Sequence, residues 1–179
     1  FNGITTWVES IIKPRGFMPT DAGTVGAMML LGGLLGAVII PPFSDRQQKR
    51  QRFLFLGFAL AIPGLIGLTY AHTILMLLLS AFSLGFFLVS ANPIGMQYAA
   101  EITFPTPEGT SNGLIQLFGQ ASVVFVYIME ALKQSNGSFT ISLWLAIALM
   151  LVSLGLITQM RDPDYNGSRS KSLLTDKRT

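Results

Sequence analysis

The chain has 179 residues, of which 50% are hydrophobic and 12% are charged, whereas charged residues make up about a quarter of a typical soluble domain. This composition excludes a water-soluble globular protein and predicts a protein that is surrounded by the lipid bilayer. The net charge of +3 comes from residues that flank apolar segments, so it does not predict binding to nucleic acid.

Five apolar segments carry no charged residue between their ends. Each is long enough to cross a hydrocarbon core of ~30 Å as a helix. Because lipid offers no hydrogen-bond partner to a bare backbone, these spans must be helical. The sequence therefore predicts an all-α, polytopic membrane helix bundle with spans at about residues 24–42, 53–71, 73–98, 113–129 and 138–160.

The first residues form an apolar segment, 1–12, that is too short for a complete span and lacks the basic region of a signal peptide. We interpret it as the end of a truncated helix. The predicted organisation is a half-bundle over residues 1–160, with one truncated and five complete helices, followed by a polar tail over residues 161–179.

Glycine and proline mark the first three complete spans. Gly32 and Gly36 form a GxxxG pair, which permits close backbone contact with another helix. Pro63 interrupts the second complete span, and Asn92-Pro93 interrupts the third, where each proline removes a helical hydrogen bond. An amide beside a helix bend is a polar group that a cavity can use, so Asn92 is a candidate substrate contact.

The span at 113–129 carries a polar stripe. Asn112, Gln116 and Gln120 recur at four-residue steps, and Tyr127 lies on nearly the same face. A glutamine amide near the middle of the membrane can orient a hydroxyl, amide or ammonium ligand, or it can tie two helices together. Gln120, near the middle of the membrane, is the first candidate, and Gln116, closer to the cytoplasmic end, is a further one. The last span, 138–160, is apolar apart from Ser142, Ser153 and Thr158 and carries no predicted site.

Loop charges predict the orientation. Four of the twelve Lys and Arg residues fall in 46–52 and five in 161–178, and alternation of the spans places both segments on one side. By the positive-inside rule this side is cytoplasmic. The tail is therefore predicted to be cytoplasmic, and the plasma membrane is the predicted location.

A charged cluster on this side predicts a gate. The segment 44–50, S-D-R-Q-Q-K-R, resembles the second-half loop motif of the major facilitator superfamily, although Pro41 stands where that motif usually has glycine. We expect Arg46 and Glu101 to be partners because they lie at the cytoplasmic ends of adjacent hairpins, where an ion pair could lock one access state. Solvated loop charges are the alternative. The predicted gate residues are Asp45, Arg46, Glu101 and Glu108.

The segment 101–113, E-I-T-F-P-T-P-E-G-T-S-N-G, is more specific. Together with Asn92-Pro93 and Gln120, it resembles helices ten and eleven of the feline leukaemia virus subgroup C receptor-related family, where E-x-T-x-P-x-x-E-G-T-S-x-G recurs. The resemblance covers the chain up to about Met160. It implies the C-terminal half of a twelve-helix transporter, with a missing N-terminal six-helix half as the protein partner.

The resemblance also implies a substrate class. Members of that family resemble carriers of choline, ethanolamine or related amines, one branch is linked to a B6-type vitamin, and haem export has been ascribed to others. Gln120 falls where the family's helix-eleven glutamine meets the substrate. Asn2 stands where an aromatic cage residue is expected, and an amide cannot attract a quaternary ammonium as a ring does, which argues against choline specificity.

The predicted function is transport of a small organic solute, amine, choline-like or vitamin-like, by alternating access. A non-transporting receptor or scaffold that keeps the transporter fold is the alternative. A membrane-embedded enzyme is not predicted, because the span interiors contain no His, Cys, Asp or Lys. With no cysteine and one histidine, the sequence predicts no metal site and no cofactor.

Overall fold

The computed structural model describes residues 2–121, 123–132 and 139–160, and within these ranges it contains helices and no strand. This confirms the predicted all-α fold. A short 3₁₀ turn over Lys13–Arg15 follows the first helix. The α-helices of the described residues are α1 (Asn2–Ile12), α2 (Pro19–Gln47), α3 (Arg50–Tyr70), α4 (Ile74–Ile102), α5 (Glu108–Gln120), α6 (Val123–Ala131) and α7 (Thr140–Gln159).

Five stretches are long and apolar enough to cross a membrane: α2, α3, α4, the stretch Glu108–Ala131 that contains α5 and α6, and α7. They coincide with the five predicted spans, and the protein is an integral, multi-pass membrane protein. The predicted tail, 161–179, lies outside the described residues.

The helices extend further than the apolar segments predict. Asp45 lies in the last turn of α2 and Glu101 in the last turn of α4, where loops were expected. Only Gln48 and Lys49 separate α2 from α3. Polar side chains at helix ends reach the membrane interface, so a helix need not end where its apolar segment ends.

Glycines allow α2 and α4 to touch through their backbones. A Cβ atom added to Gly36 would lie 2.0 Å from the carbonyl oxygen of Phe86, and one added to Gly32 would lie 2.3 Å from that of Phe82. The reverse holds on α4, where a Cβ on Gly85 would lie 2.1 Å from the Met29 carbonyl oxygen. The GxxxG pair thus makes the close helix contact that the sequence predicts.

The remaining helices attach to this pair. The α3 helix packs along α4, and α7 packs on α3, where the Trp144 indole donates a hydrogen bond of 3.1 Å to the Tyr70 hydroxyl. Trp7 of α1 stacks on Phe139 and donates a hydrogen bond of 3.2 Å to the carbonyl oxygen of Val126 in α6. Pro63 and Pro93 lie inside α3 and α4, and both helices continue through them.

Candidate functional site

The structure gathers charged side chains on one end of the bundle, where α2, α4 and α7 end and α3 and α5 begin. We call this end the basic face because four cations of the described residues fall there, all between Arg46 and Arg52. Gln48 and Lys49 link α2 to α3, and the first turn of α3 lies beside the ends of α2 and α4. This arrangement decides which of the four cations meets the carboxylates.

Arg50, the first residue of α3, is the centre of the cluster, and its side chain is only 4% exposed. Its Nε donates to both Glu101 carboxylate oxygens at 3.2 Å, and its Nη2 donates to Oε1 at 2.7 Å. Its Nη1 donates to the carboxylate of Asp45 and, at 3.5 Å, to the hydroxyl of Ser44. One guanidinium thus holds two carboxylates, and the three groups together carry a charge of about −1 at neutral pH.

Neighbouring amides extend the cluster to a further helix. The Gln97 amide donates to Glu101 Oε1 at 3.3 Å, from one turn earlier on α4. Gln51 donates to the carbonyl oxygens of Ile157 at 3.0 Å and Thr158 at 3.2 Å, at the end of α7. Two consecutive residues of α3 therefore bind the ends of α2, α4 and α7.

The predicted pair between Arg46 and Glu101 is corrected to a pair between Arg50 and Glu101. Because α2 continues to Gln47, Arg46 lies on its exposed surface and forms no ion pair with the described residues. Glu108 is exposed in the first turn of α5, where a carboxylate is favourable beside a helix N-terminus. It does not join Arg50.

A cavity of about 660 Å³ lies between α3, α4, α5 and α7, in the half of the bundle next to the basic face. Asn92 lines it from α4, Ser153 lines it from α7, and most other lining side chains are apolar. Ile115 is the residue through which α5 contributes to the wall. The cavity brings the predicted Asn92 together with α5 but does not include Gln116 or Gln120.

Gln120 is the last residue of α5, and α6 begins at Val123. Gln116 and Gln120 are both exposed, one helical turn apart, as is every side chain from 113 to 120. The backbone of Asn2 belongs to α1. Its side chain lies outside the described part of the structure.

One well-bound residue was missed by the sequence analysis. Arg15 donates from Nη1 to the carbonyl oxygens of Leu68, Thr69 and Ala71, at 2.8, 3.0 and 3.4 Å, and from Nη2 to that of Ile11 at 3.2 Å. Burial lowers the pKa of its guanidinium, which stays protonated at neutral pH. A cation at helix C-termini satisfies carbonyls that have no helical partner.

Comparison with known proteins identifies the family. The sequence profile of the Major Facilitator Superfamily matches residues 2–175, nearly the whole chain. The chain belongs to this superfamily. Its fold is the corresponding all-α arrangement of membrane helices.

Individual relatives confirm the resemblance to the feline leukaemia virus subgroup C receptor-related family. An uncharacterized protein of Archaeoglobus fulgidus is 35% identical over 161 residues, which cover 87% of this chain and 72% of that protein. The choline/ethanolamine transporter flvcr2b of Danio rerio is 26% identical over 135 residues, 73% of this chain and 28% of the transporter. For the choline/ethanolamine transporter FLVCR2 of Rattus norvegicus the identity is 26% over 137 residues, 74% of this chain and 25% of the transporter. The chain therefore spans about a quarter of the length of these transporters.

Proposed function

We propose that this chain is half of a carrier that moves a small organic solute, an amine or a vitamin-like molecule, across a membrane by alternating access. Membership in the Major Facilitator Superfamily supports transport, and two relatives are named as choline/ethanolamine transporters. The observation that carries the proposal is the pair of exposed amides, Gln116 and Gln120, on a stretch long and apolar enough to span the membrane.

Hydrocarbon cannot satisfy these amides. An unpaired polar group in the bilayer core costs several kcal/mol, so the surface of α5 that carries Gln116 and Gln120 must face protein or water. A second six-helix half is the cover that we propose, with a water-filled site between the halves. Each amide offers two donors and two acceptors, which suit a hydroxyl, an amide or an ammonium of a solute.

Gln120 is the main substrate contact in this proposal. It lies at the end of α5, on the same exposed surface as Gln116. Asn92, which lines the cavity beside α4, and Asn2, on α1, are secondary candidates. Either could contact a different part of the solute, or could contact the solute in a different access state.

The Arg50 cluster is the proposed gate on the basic face, which we assign to the cytoplasm. Its buried side, Arg50 with Glu101, holds the half together, while the Asp45 side chain is 58% exposed. Asp45 can therefore accept a cation from the other half in one access state and release it in the other. Arg46 and Glu108, both exposed on the same face, offer further charges for such contacts.

An uptake panel of radiolabelled amines and vitamins on the complete protein tests the transport proposal. We expect Gln120→Ala to lower uptake of the transported solute at least about tenfold, which corresponds to about 1.4 kcal/mol of lost binding. Gln159→Ala is the matched control, since Gln159 is an exposed glutamine at the end of α7. Uptake by Gln120→Ala at the level of that control, with equal amounts in the membrane, would remove the substrate role.

Asp45→Asn tests the gate separately. The variant keeps the bond between Arg50 and Glu101, so folding is retained, but it removes the exposed charge. We expect the maximal transport rate to change about threefold or more while the apparent affinity changes less, because a gate acts on the conformational step. Unchanged kinetics in both respects would show that Asp45 does not act as a gate.

A further inference from the structure

The cavity beside Asn92 has the shape of a slot along α4. Its α4 wall includes Leu88, Ala91, Gly95, Ala99 and Ile102, which follow one another at three- and four-residue steps and so share one helix face. From Leu88 to Ile102 there are 14 residue steps, which at a rise of ~1.5 Å each give about 21 Å. The slot therefore runs along the helix axis toward the basic face.

Three other helices complete the slot. Leu54 and Phe58 contribute from the first turns of α3, Leu156 and Met160 from the last turns of α7, and Ile115 from α5. No side chain that lines the slot in the described structure is charged. The α5 helix packs on α4, and the α7 helix packs on α3. The slot lies between these two pairs of helices.

We propose that this slot holds one acyl chain of a phospholipid from the leaflet at the basic face. The length of about 21 Å exceeds the ~15 Å depth of one leaflet of a ~30 Å hydrocarbon core, so the slot can receive a chain over that whole depth. Its volume of about 660 Å³ lies in the range of ordinary ligand sites. The bound lipid is a different ligand from the transported solute. The two proposals meet only at Asn92, which a lipid in the slot would cover, while Gln120 remains the main solute contact.

The chemistry of the walls favours an acyl chain over a charged solute. Moving an ammonium into an apolar slot without a carboxylate is costly, and two acids of the basic face, Asp45 and Glu101, are already bound to Arg50. The slot runs toward the basic face, which carries the exposed cations Arg46, Lys49 and Arg52. Basic residues near the membrane surface attract anionic headgroups, which selects an anionic phospholipid.

Gly95→Leu tests the site by filling the slot. A Cβ atom on Gly95 would meet only the Cδ2 atom of Leu54, at 4.0 Å, so a larger side chain can enter without displacing the backbone. Gly155→Leu is the matched control, because Gly155 is an exposed glycine of α7 with no atom within 4 Å of an added Cβ. Both changes replace glycine by leucine inside a helix and gain similar helix propensity.

The measurement is native mass spectrometry of the complete protein released from detergent, with phosphatidylglycerol as the probe. Its headgroup carries no amine and cannot be recognised as an amine substrate. We expect the unmodified protein and Gly155→Leu to retain one lipid per chain, and Gly95→Leu to need at least about tenfold more lipid for the same occupancy. Ser153→Leu, which fills the slot from α7, provides a second variant if Gly95→Leu does not fold.

Two results would overturn the proposal. One is retention of phosphatidylglycerol by both slot-filling variants at the level of Gly155→Leu, which would place the lipid on the outer surface of the bundle. The other is displacement of the lipid by a water-soluble amine, which would make the slot part of the solute pathway.

Discussion

Two regions of the bundle use similar apolar sequences in opposite ways. Between α2 and α4, Gly32, Gly36 and Gly85 bring the two backbones into contact, so one face of each helix is covered by the other. On α5, every side chain from 113 to 120 is exposed, and two of them are glutamines. Apolar composition alone does not distinguish these regions. The positions of the small and the polar residues distinguish them. Lipid can cover a leucine side chain, but it cannot replace a contact between two backbones or form the hydrogen bonds of an amide.

The bundle thus has two parts. One is a body formed by α2, α3 and α4 with the helices attached to them, and the other is a surface on α5 that is suited to another protein segment. Four substitutions in and around the body can break or sharpen this division. Each has a control of the same chemistry at a position with no comparable contact.

The largest effect is expected for Gly36→Leu. The new side chain would begin 2.0 Å from a backbone oxygen of α4, and neither helix can move aside without breaking the contact between them. We expect the free energy of unfolding to fall by roughly 3 kcal/mol or more, the upper end of overpacking costs. An SDS titration of the purified protein measures the loss.

Gly26→Leu is the control for this change, since Gly26 lies on the same helix with open space around it. Its free energy of unfolding should equal or exceed that of the unmodified protein, because leucine has a higher helix propensity than glycine. If both variants unfold alike, the backbone contact does not stabilise the body.

Arg50→Met comes next. It removes the cation that Glu101 shares with Asp45, and the side chain of Glu101 is only 15% exposed. Loss of one member of a buried ion pair costs about 3 kcal/mol or more. Arg46→Met should change the free energy of unfolding by less than about 0.5 kcal/mol, because that side chain is exposed. The same titration decides between the two arginines, and a larger loss for Arg46→Met would restore the pair expected from sequence.

Arg15→Met tests the other end of the body. Four carbonyl oxygens lose a charged donor, and hydrogen bonds to charged groups contribute about 1.5–3 kcal/mol, so we expect a loss of about 2 kcal/mol. Thermal unfolding in detergent provides the measurement. Lys13→Met, at an exposed position of the same turn, should have little effect. Equal stability of the two variants would mean that water replaces the guanidinium at no cost.

The smallest effect, and a gain, is expected for Gln48→Gly. Gln48 has φ of 52°, a left-handed conformation that costs a residue with a Cβ about 1 kcal/mol or more and costs glycine little. Part of this gain is lost because glycine has more freedom in the unfolded chain, which leaves about 0.5 kcal/mol. Gln47→Gly, inside the last turn of α2, should instead destabilise the protein. A gain for both variants would show that the link between α2 and α3 is not strained at Gln48.

Much of the fold could be predicted from the sequence. Charge-free apolar segments identified the five spans, and the spacing of Gly32 and Gly36 predicted a close helix contact. Helix ends were harder, because polar residues at an interface are compatible with either helix or loop. Placing the end of α2 too early led to the wrong ion pair. Successive helical residues point about 100° apart, so the position at which α2 ends decides whether Arg46 or Arg50 meets Glu101.

The candidate site was predicted less completely. A four-residue period revealed Gln116 and Gln120, but no local pattern reports that both side chains are exposed in the described structure. Arg15 binds carbonyls 53 to 56 residues further along the chain, and backbone oxygens carry no sequence signal. Contacts of this kind depend on how helices are placed relative to one another, which the order of residue types alone does not specify.

The first turn of α3 also bears on how the protein is synthesised. Arg50 can bind Glu101 only after the ribosome has added 51 further residues, and Gln51 can bind the end of α7 only after 106 further residues. Until Glu101 leaves the ribosome, Arg50 can bind Asp45 and Ser44, which are made before it, and water at the membrane surface. Insertion of α3 can therefore precede its final docking, and the bundle closes at this end only when its last helix arrives.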